Sequence, residues 1–254
     1  MANDFCWYEL MTTDRKAAAA FYTSVVGWRA DDTAMSDMSY TLLFVGDAAV
    51  AGMMDLPKEA CDAGAQPGWI GYVAVDDVDA YAKRVTQAGG SIHRPAEDIP
   101  NVGRFAVVAD PHGAAFVLFT PSGAPPATRP EPRSPGTVAW HELMAGDGAS
   151  AFAFYSGLFG WSKSQAMDMG PMGIYQLFNA GKEDIGGIMT KTPEVPAPFW
   201  QYYIVVDAID AAVQRVNDKG GKVINGPMEV PGGSWIVQCL DPQGAMFALT
   251  AAKR

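Results

Sequence analysis

The sequence predicts an α+β fold of two tandem domains, each a pair of βαβββ modules forming a curved eight-stranded mixed sheet with a central cup. Three observations lead there: an internal duplication, a repeated change from strand-like to helix-like periodicity within each copy, and a proline-rich stretch between the copies. Trp7-Tyr8-Glu9-Leu10-Met11 returns 133 positions later as Trp140-His141-Glu142-Leu143-Met144, and Phe21-Tyr22 with Gly27-Trp28 returns as Phe154-Tyr155 with Gly160-Trp161. Further on, Val75-Asp76-Asp77-Val78-Asp79-Ala80 returns 131 positions later as Val206-Asp207-Ala208-Ile209-Asp210-Ala211, as do Gly89-Gly90 and Asp110-Pro111-x-Gly113. A duplication is the first thing to look for, because missing one misassigns the whole fold. The stretch from Pro121 to Gly136 (PSGAPPATRPEPRSPG) reads as a semi-extended linker, since proline lacks a backbone donor and resists helix. The boundaries follow: residues 1–122, a linker over 123–135, and residues 136–254.

Asp14 is a helix cap, followed by Ala18, Phe21, Tyr22 and Val25 at i, i+3, i+4, i+7, one face of a 3.6-residue turn. The copy is Ala151, Phe154, Tyr155 and Leu158. A second helix starts after Asp76 or Asp77, carries Val78, Tyr81, Ala82 and Val85 inward, and stops at Gly89-Gly90. Its copy uses Ile209, Ala212, Val213 and Val216. Short runs at Tyr40–Val45, Tyr72–Val75, Phe105–Ala109 and Phe116–Thr120 read as strands, and the Asp-Pro-x-Gly segments as the turns between the last two strands of each copy. Two helices on one face of a sheet leave the other face to a small ligand.

Hydrophobic residues make up 49% and charged residues 18% of the 254 residues, so the chain can bury a core. A net charge of −10 removes the cation excess that phosphate backbones demand, so no nucleic-acid partner is expected. The N-terminal segment has no basic and apolar leader, and no run approaches the ~18 apolar residues of a membrane span. Three widely spaced cysteines suggest neither a disulfide framework nor a zinc knuckle. The expectation is a cytoplasmic protein without a membrane partner, acting as a monomer or weak homodimer.

The Phe-Tyr…Gly-Trp helix exit, the Val-Asp-Asp-Val-Asp-Ala helix start and the closing Asp-Pro-x-Gly-x-x-Phe strand together resemble the vicinal oxygen chelate superfamily. That superfamily includes glyoxalase I, extradiol dioxygenases, bleomycin resistance proteins and methylmalonyl-CoA epimerase. The resemblance covers nearly the whole chain twice and is closest to two-domain glyoxalase/bleomycin-resistance-like proteins of bacteria. Metal-dependent members carry ligands on the first, fourth, fifth and eighth strands of a domain. Those positions hold Trp7 and Trp140, Met53 or Met54 and Ile188 or Met189, Ile70 and Gln201, and Val117 and Ala248. Only Gln201 offers a plausible donor, and one neutral oxygen cannot hold a catalytic metal alone. No metal and no other cofactor is therefore expected.

Glu9 and Glu142 lie two residues beyond the lost first ligand, so a period of two points them to the same side as Trp7 and Trp140. A carboxylate beside an indole in a partly dry pocket suits general acid or base work, which makes both Glu the candidate catalytic residues. The competing reading is a structural carboxylate tied to a backbone amide or an arginine. His141, which stands where the first copy has Tyr8, should face the helices as a satisfied core histidine. His93 and His112 are given no chemistry. The candidate ligand-binding residues are Trp7, Tyr72, Arg104, Trp140, Trp200, Gln201, Tyr203 and Trp235, with Arg104 placed to pair a ligand anion or Glu9. Met-Ser-Asp-Met from Met35 and Met-Asp-Met-Gly-Pro-Met from Met167 add deformable walls. The function expected is binding of a small, largely apolar organic molecule with metal-independent isomerase or lyase-type chemistry. Sequestration of a drug or metabolite without turnover is the alternative, and a metal lyase or dioxygenase using His141, Glu142 and Gln201 the third reading.

Overall fold

The computed structural model describes residues 3–35, 38–62, 64–123, 128–181 and 183–254. Ser36 and Asp37 of the first methionine-rich loop, and residues 124–127 of the expected linker, lie outside the described residues. The first copy runs β1 (Phe5–Thr12), α1 (Arg15–Val26), β2 (Arg29–Met35), β3 (Met38–Val45), β4 (Ala48–Asp55), a short α2 (Lys58–Asp62), β5 (Gly68–Ala74), α3 (Val78–Gln87), β6 (Ser91–Ile99), β7 (Gly103–Ala109) and β8 (Ala115–Pro121). The second runs β9 (Val138–Ala145), α4 (Gly148–Phe159), β10 (Ser162–Asp168), β11 (Ile174–Asn179), β12 (Asp184–Thr190), β13 (Phe199–Val205), α5 (Ile209–Asp218), β14 (Lys222–Glu229), β15 (Trp235–Leu240) and β16 (Met246–Ala251). Each copy is thus two βαβββ modules, and its strands form one eight-stranded mixed sheet, ordered β2-β3-β4-β1-β5-β8-β7-β6 and β10-β11-β12-β9-β13-β16-β15-β14. No helix among the described residues is long and apolar enough to cross a membrane. Cys6, Cys61 and Cys239 form no disulfide among the described residues.

Local chemistry sets the helix ends. The Asp14 carboxylate accepts from Ala17 N–H, Asp77 from Ala80 N–H and Asp147 from Ser150 N–H, and Gly27 and Gly160 close α1 and α4 in the left-handed region. The corresponding start of α5 is Ala208, which has no capping side chain, so that helix relies on its buried Ile209, Ala212 and Val216.

The compact units of the chain are not its two sequence copies. One unit joins residues 7–69 to 126–139 and 202–254, so it holds the first module of copy one and the second module of copy two; the other joins residues 1–6, 70–125 and 140–201. In the first unit, α1 packs against α5 over a core that includes Leu10, Phe21, Tyr22, Met53, Ile204 and Phe247. In the second, α3 packs against α4, and Tyr155 stacks on Trp161 at 5.5 Å within a set of rings that includes Phe116, Phe159, Phe178 and Trp200.

Corresponding hydrogen bonds join the copies inside each unit. Tyr22 donates to Asp241 at 3.1 Å in one unit, and Tyr155 donates to Asp110 at 3.2 Å in the other. The indole of Trp28 donates to the Gly136 carbonyl, and that of Trp161 to the Asn3 carbonyl. Arg215 donates to the Val25 carbonyl at the end of α1, while Arg84 donates to Gly157 and Leu158 at the end of α4. The aspartates come from the Asp-Pro-x-Gly turns, where Oδ1 accepts turn amides and Oδ2 receives the phenol. Tyr22→Phe, which removes the donor to a buried carboxylate, is expected to destabilise the protein by about 1–3 kcal/mol in urea unfolding.

Candidate functional site

Alternation along β1 and β9 divides their residues between two faces. Leu10 joins the core beneath α1, and Leu143 is fully buried, whereas Trp7, Glu9, Trp140 and Glu142 belong to the opposite face. On that face each copy builds the same chain of hydrogen bonds. Trp7 Nε1 donates to the Tyr40 hydroxyl at 3.2 Å, which donates to Glu9 Oε2 at 2.7 Å. In the second copy Trp140 Nε1 donates to the Tyr175 hydroxyl at 2.8 Å, which donates to Glu142 Oε2 at 3.1 Å. Both carboxylates are 8% exposed. Burial, and then the charge of the neighbouring glutamate, raise both tyrosine pKa values well above the usual phenol range, so each phenol stays a donor at ordinary pH.

A glycine makes room for each tyrosine. Gly52 lies opposite Glu9 in the parallel β1–β4 register, and Gly187 lies opposite Glu142 in β9–β12. A Cβ at Gly52 would lie 1.9 Å from the Tyr40 hydroxyl oxygen, and one at Gly187 2.2 Å from Cζ of Tyr175, so neither ring could stay where it is. Sequence reasoning missed these four residues, although Tyr40 and Gly52 recur 135 positions later as Tyr175 and Gly187.

The other candidates are dispersed. Tyr203 accepts from the Gln238 amide at 2.9 Å, and Tyr72 packs edge-on against Phe119. Trp200 belongs to the helix-facing core, with its indole donating to the Tyr155 hydroxyl. Arg104 is likewise engaged: it donates to both oxygens of Asp79 and to Asp98, a pair of carboxylates that answers its charge without a ligand anion. Trp235 lies under the Arg254 guanidinium at 4.9 Å. His141 is a core residue that stacks on Phe5 at 4.1 Å, with Nδ1 2.7 Å from the Ile185 carbonyl. Burial lowers its pKa to about 4.

Gln201 differs from all of these. Its neighbour Trp200 faces the core, so alternation turns Gln201 to the face that carries Glu142. The residue is 2% exposed, and neither Oε1 nor Nε2 has a hydrogen-bond partner within the protein. A buried amide left unpaired costs about 1–3 kcal/mol.

Paired βαβββ modules with polar side chains on the helix-free face define the vicinal oxygen chelate class. The chain matches the Glyoxalase/Bleomycin resistance protein/Dioxygenase superfamily over residues 5–118 and 137–249, and it belongs to that superfamily. It is 36% identical to the glyoxylase-like protein CFP32 of Mycobacterium tuberculosis over 246 residues, covering 96% of this chain and 92% of that protein. It is 32% identical to the anthracycline biosynthesis protein DnrV of Streptomyces peucetius over 258 residues, covering 96% of this chain and 91% of the relative. Among solved structures it is similar in fold to the Mn(II)-bound glyoxalase of Novosphingobium aromaticivorans, with a TM-score of 0.68, 16% identity and coverage of 100% of this chain and 83% of that one.

A divalent metal at the family's ligand positions does not fit this donor set. Register places Met53 beside core residue Leu10 and Met54 beside Met11, and it places Ile188 beside Leu143 and Met189 beside Met144. Val117 lies opposite Tyr72 and Ala248 opposite Tyr203. Indole, thioether and alkyl groups hold no hard cation, and among the described residues no three His, Cys, Asp or Glu side chains gather to hold one.

Gly187→Ala should displace the Tyr175 ring and destabilise the protein by about 1–3 kcal/mol. Gly157→Ala, where an added Cβ meets nothing within 4 Å, should be neutral or stabilising in the same urea titrations. His141 generates a pH dependence. Its folded pKa of about 4 lies below the ordinary 6.5, so the unfolded chain binds the extra proton between those values. Its contribution to stability is therefore fully present above pH 6.5 and declines as the pH falls toward 4. His141→Phe should flatten that part of the unfolding profile.

Proposed function

We propose that the chain binds a small, flat, largely apolar organic molecule on the face of a copy that carries its glutamate, Glu9 in the first or Glu142 in the second, and that this carboxylate moves a proton in metal-independent isomerase or lyase-type chemistry. The observation that carries this reading is the Trp–Tyr–Glu chain, present in both copies. A buried carboxylate with one oxygen fixed by a neutral phenol is held in position as a proton acceptor, and the indole behind the phenol fixes the phenol in turn. Such a base would take a proton from a carbon next to a ligand carbonyl: the C–H bond breaks, the proton goes to the carboxylate and the electron pair to an enolate. The misfit of the donor set with a divalent metal supports a proton-transfer role that the side chains perform themselves. The name of the relative DnrV, an anthracycline biosynthesis protein, supports a polycyclic aromatic ligand.

The test is deuterium uptake by an anthracyclinone incubated with the protein in D2O and followed by mass spectrometry. The wild-type protein is expected to accelerate exchange next to a carbonyl. Glu9→Gln combined with Glu142→Gln, which keeps an acceptor for each phenol, should reduce that exchange by about 10²–10⁴-fold. Full exchange by the double variant overturns the base role. Saturable binding with no exchange by either protein supports the sequestering alternative.

A further inference from the structure

The two copies differ in polarity at a buried position on the proposed ligand face. Where the second copy has Gln201, with both amide atoms unpartnered, the first has Ile70, and both residues are largely buried. An aliphatic side chain thus satisfies the position in one copy, while the other spends a buried donor and acceptor there without an internal partner. Glu142 and Gln201 occupy neighbouring strands, β9 and β13, of the same sheet. They share a face, because the residues preceding each, His141 and Trp200, both meet the Phe5 ring on the other one, at 4.1 Å and 5.3 Å. Trp140 and Tyr175 lie beside Glu142 and supply aromatic surface.

We infer that Gln201 reads a neutral hydroxy-carbonyl pair on an aromatic ligand of the second copy, its Nε2 donating to the ligand carbonyl and its Oε1 accepting from the adjacent hydroxyl. This rests on the ligand face proposed above and names the chemistry that the face selects. A primary amide offers a donor and an acceptor side by side, so its complement is a ligand that presents an acceptor and a donor at similar spacing. The amide carries no charge, and a ligand anion would meet Glu142 on the next strand, which selects a neutral partner. A site built to hydrogen-bond a hydroxyl rejects the analogue that lacks it much more strongly than an apolar pocket does, because its own polar atoms are then left unpaired. The first copy, with Ile70, makes no such distinction.

The experiment titrates the full chain with 1-hydroxyanthraquinone and with anthraquinone, following tryptophan fluorescence, and compares wild type with Gln201→Leu. The wild type is expected to bind the hydroxylated probe at least about tenfold more tightly. Gln201→Leu should bring the two affinities within about twofold while retaining anthraquinone binding. The same variant, freed of an unpaired buried amide, should melt at or above the wild-type temperature without ligand. Preserved discrimination in Gln201→Leu overturns the inference and leaves the aromatic-ligand reading standing. A lower ligand-free melting temperature also overturns it, because the amide then has a partner in the fold. Failure of wild type to bind either probe overturns the aromatic-ligand reading and this inference together.

Discussion

The phenol of Tyr22 against Asp241, matched by that of Tyr155 against Asp110, is the contact on which the arrangement of modules depends. In both, a tyrosine from the first helix of one copy reaches the closing turn of the other, where the aspartate's second oxygen already holds the turn amides. Burial raises the Asp241 pKa, and the hydroxyl and amide donors oppose that shift. The tryptophan that follows each of these helices repeats the exchange through Gly136 and Asn3, and Arg215 and Arg84 repeat it at the helix ends. Each compact unit therefore has contributions from both copies. A duplicated chain keeps its two halves at a fixed stoichiometry, so every phenol finds its aspartate within the same molecule.

The second constraint is the two-residue period of a strand. With Leu10 and Leu143 committed to the cores, Glu9 and Glu142 must face the other way, and Gly52 and Gly187 leave the space in which a tyrosine can reach them. The tyrosines then act as fixed donors, because burial and the adjacent carboxylates suppress their ionisation. The residues that stand at the family's first-ligand positions take part in this network. Trp7 and Trp140, at the first-ligand positions, orient the phenols that orient the carboxylates.

Much of the fold was legible because its signals are local. Capping aspartates at 14, 77 and 147, helix-stopping glycines and the Asp-Pro-x-Gly turns act within a few residues of themselves, and the duplication displayed each of these motifs twice except the cap at Asp77, whose counterpart is Ala208. The direction in which Glu9, Glu142 and His141 point also followed from alternation alone. The partners of those residues did not. Tyr40 and Tyr175 reach their glutamates from another strand, and a glycine's role as space is visible only once the ring above it is placed. The ion pair of Arg104 was not legible either, because Asp79, 25 positions away on α3, comes beside it only in the folded chain. Trp200 and Gln201 adjoin in sequence but face opposite sides, so one belongs to the core and the other to the candidate site. The exchange of modules between copies is written in contacts from 45 residues apart, as in Tyr155 with Asp110, to more than 100, as in Trp28 with Gly136, which no local pattern displays.

The most direct test of the central claim, that a buried phenol holds the site carboxylate, is a double-mutant cycle of Tyr175→Phe and Glu142→Ala, which removes the acceptor, on unfolding free energy in urea. A coupling of about 1.5–3 kcal/mol is expected, the range for a hydrogen bond to a charged group. Additivity of the two substitutions to within about 0.5 kcal/mol would contradict it.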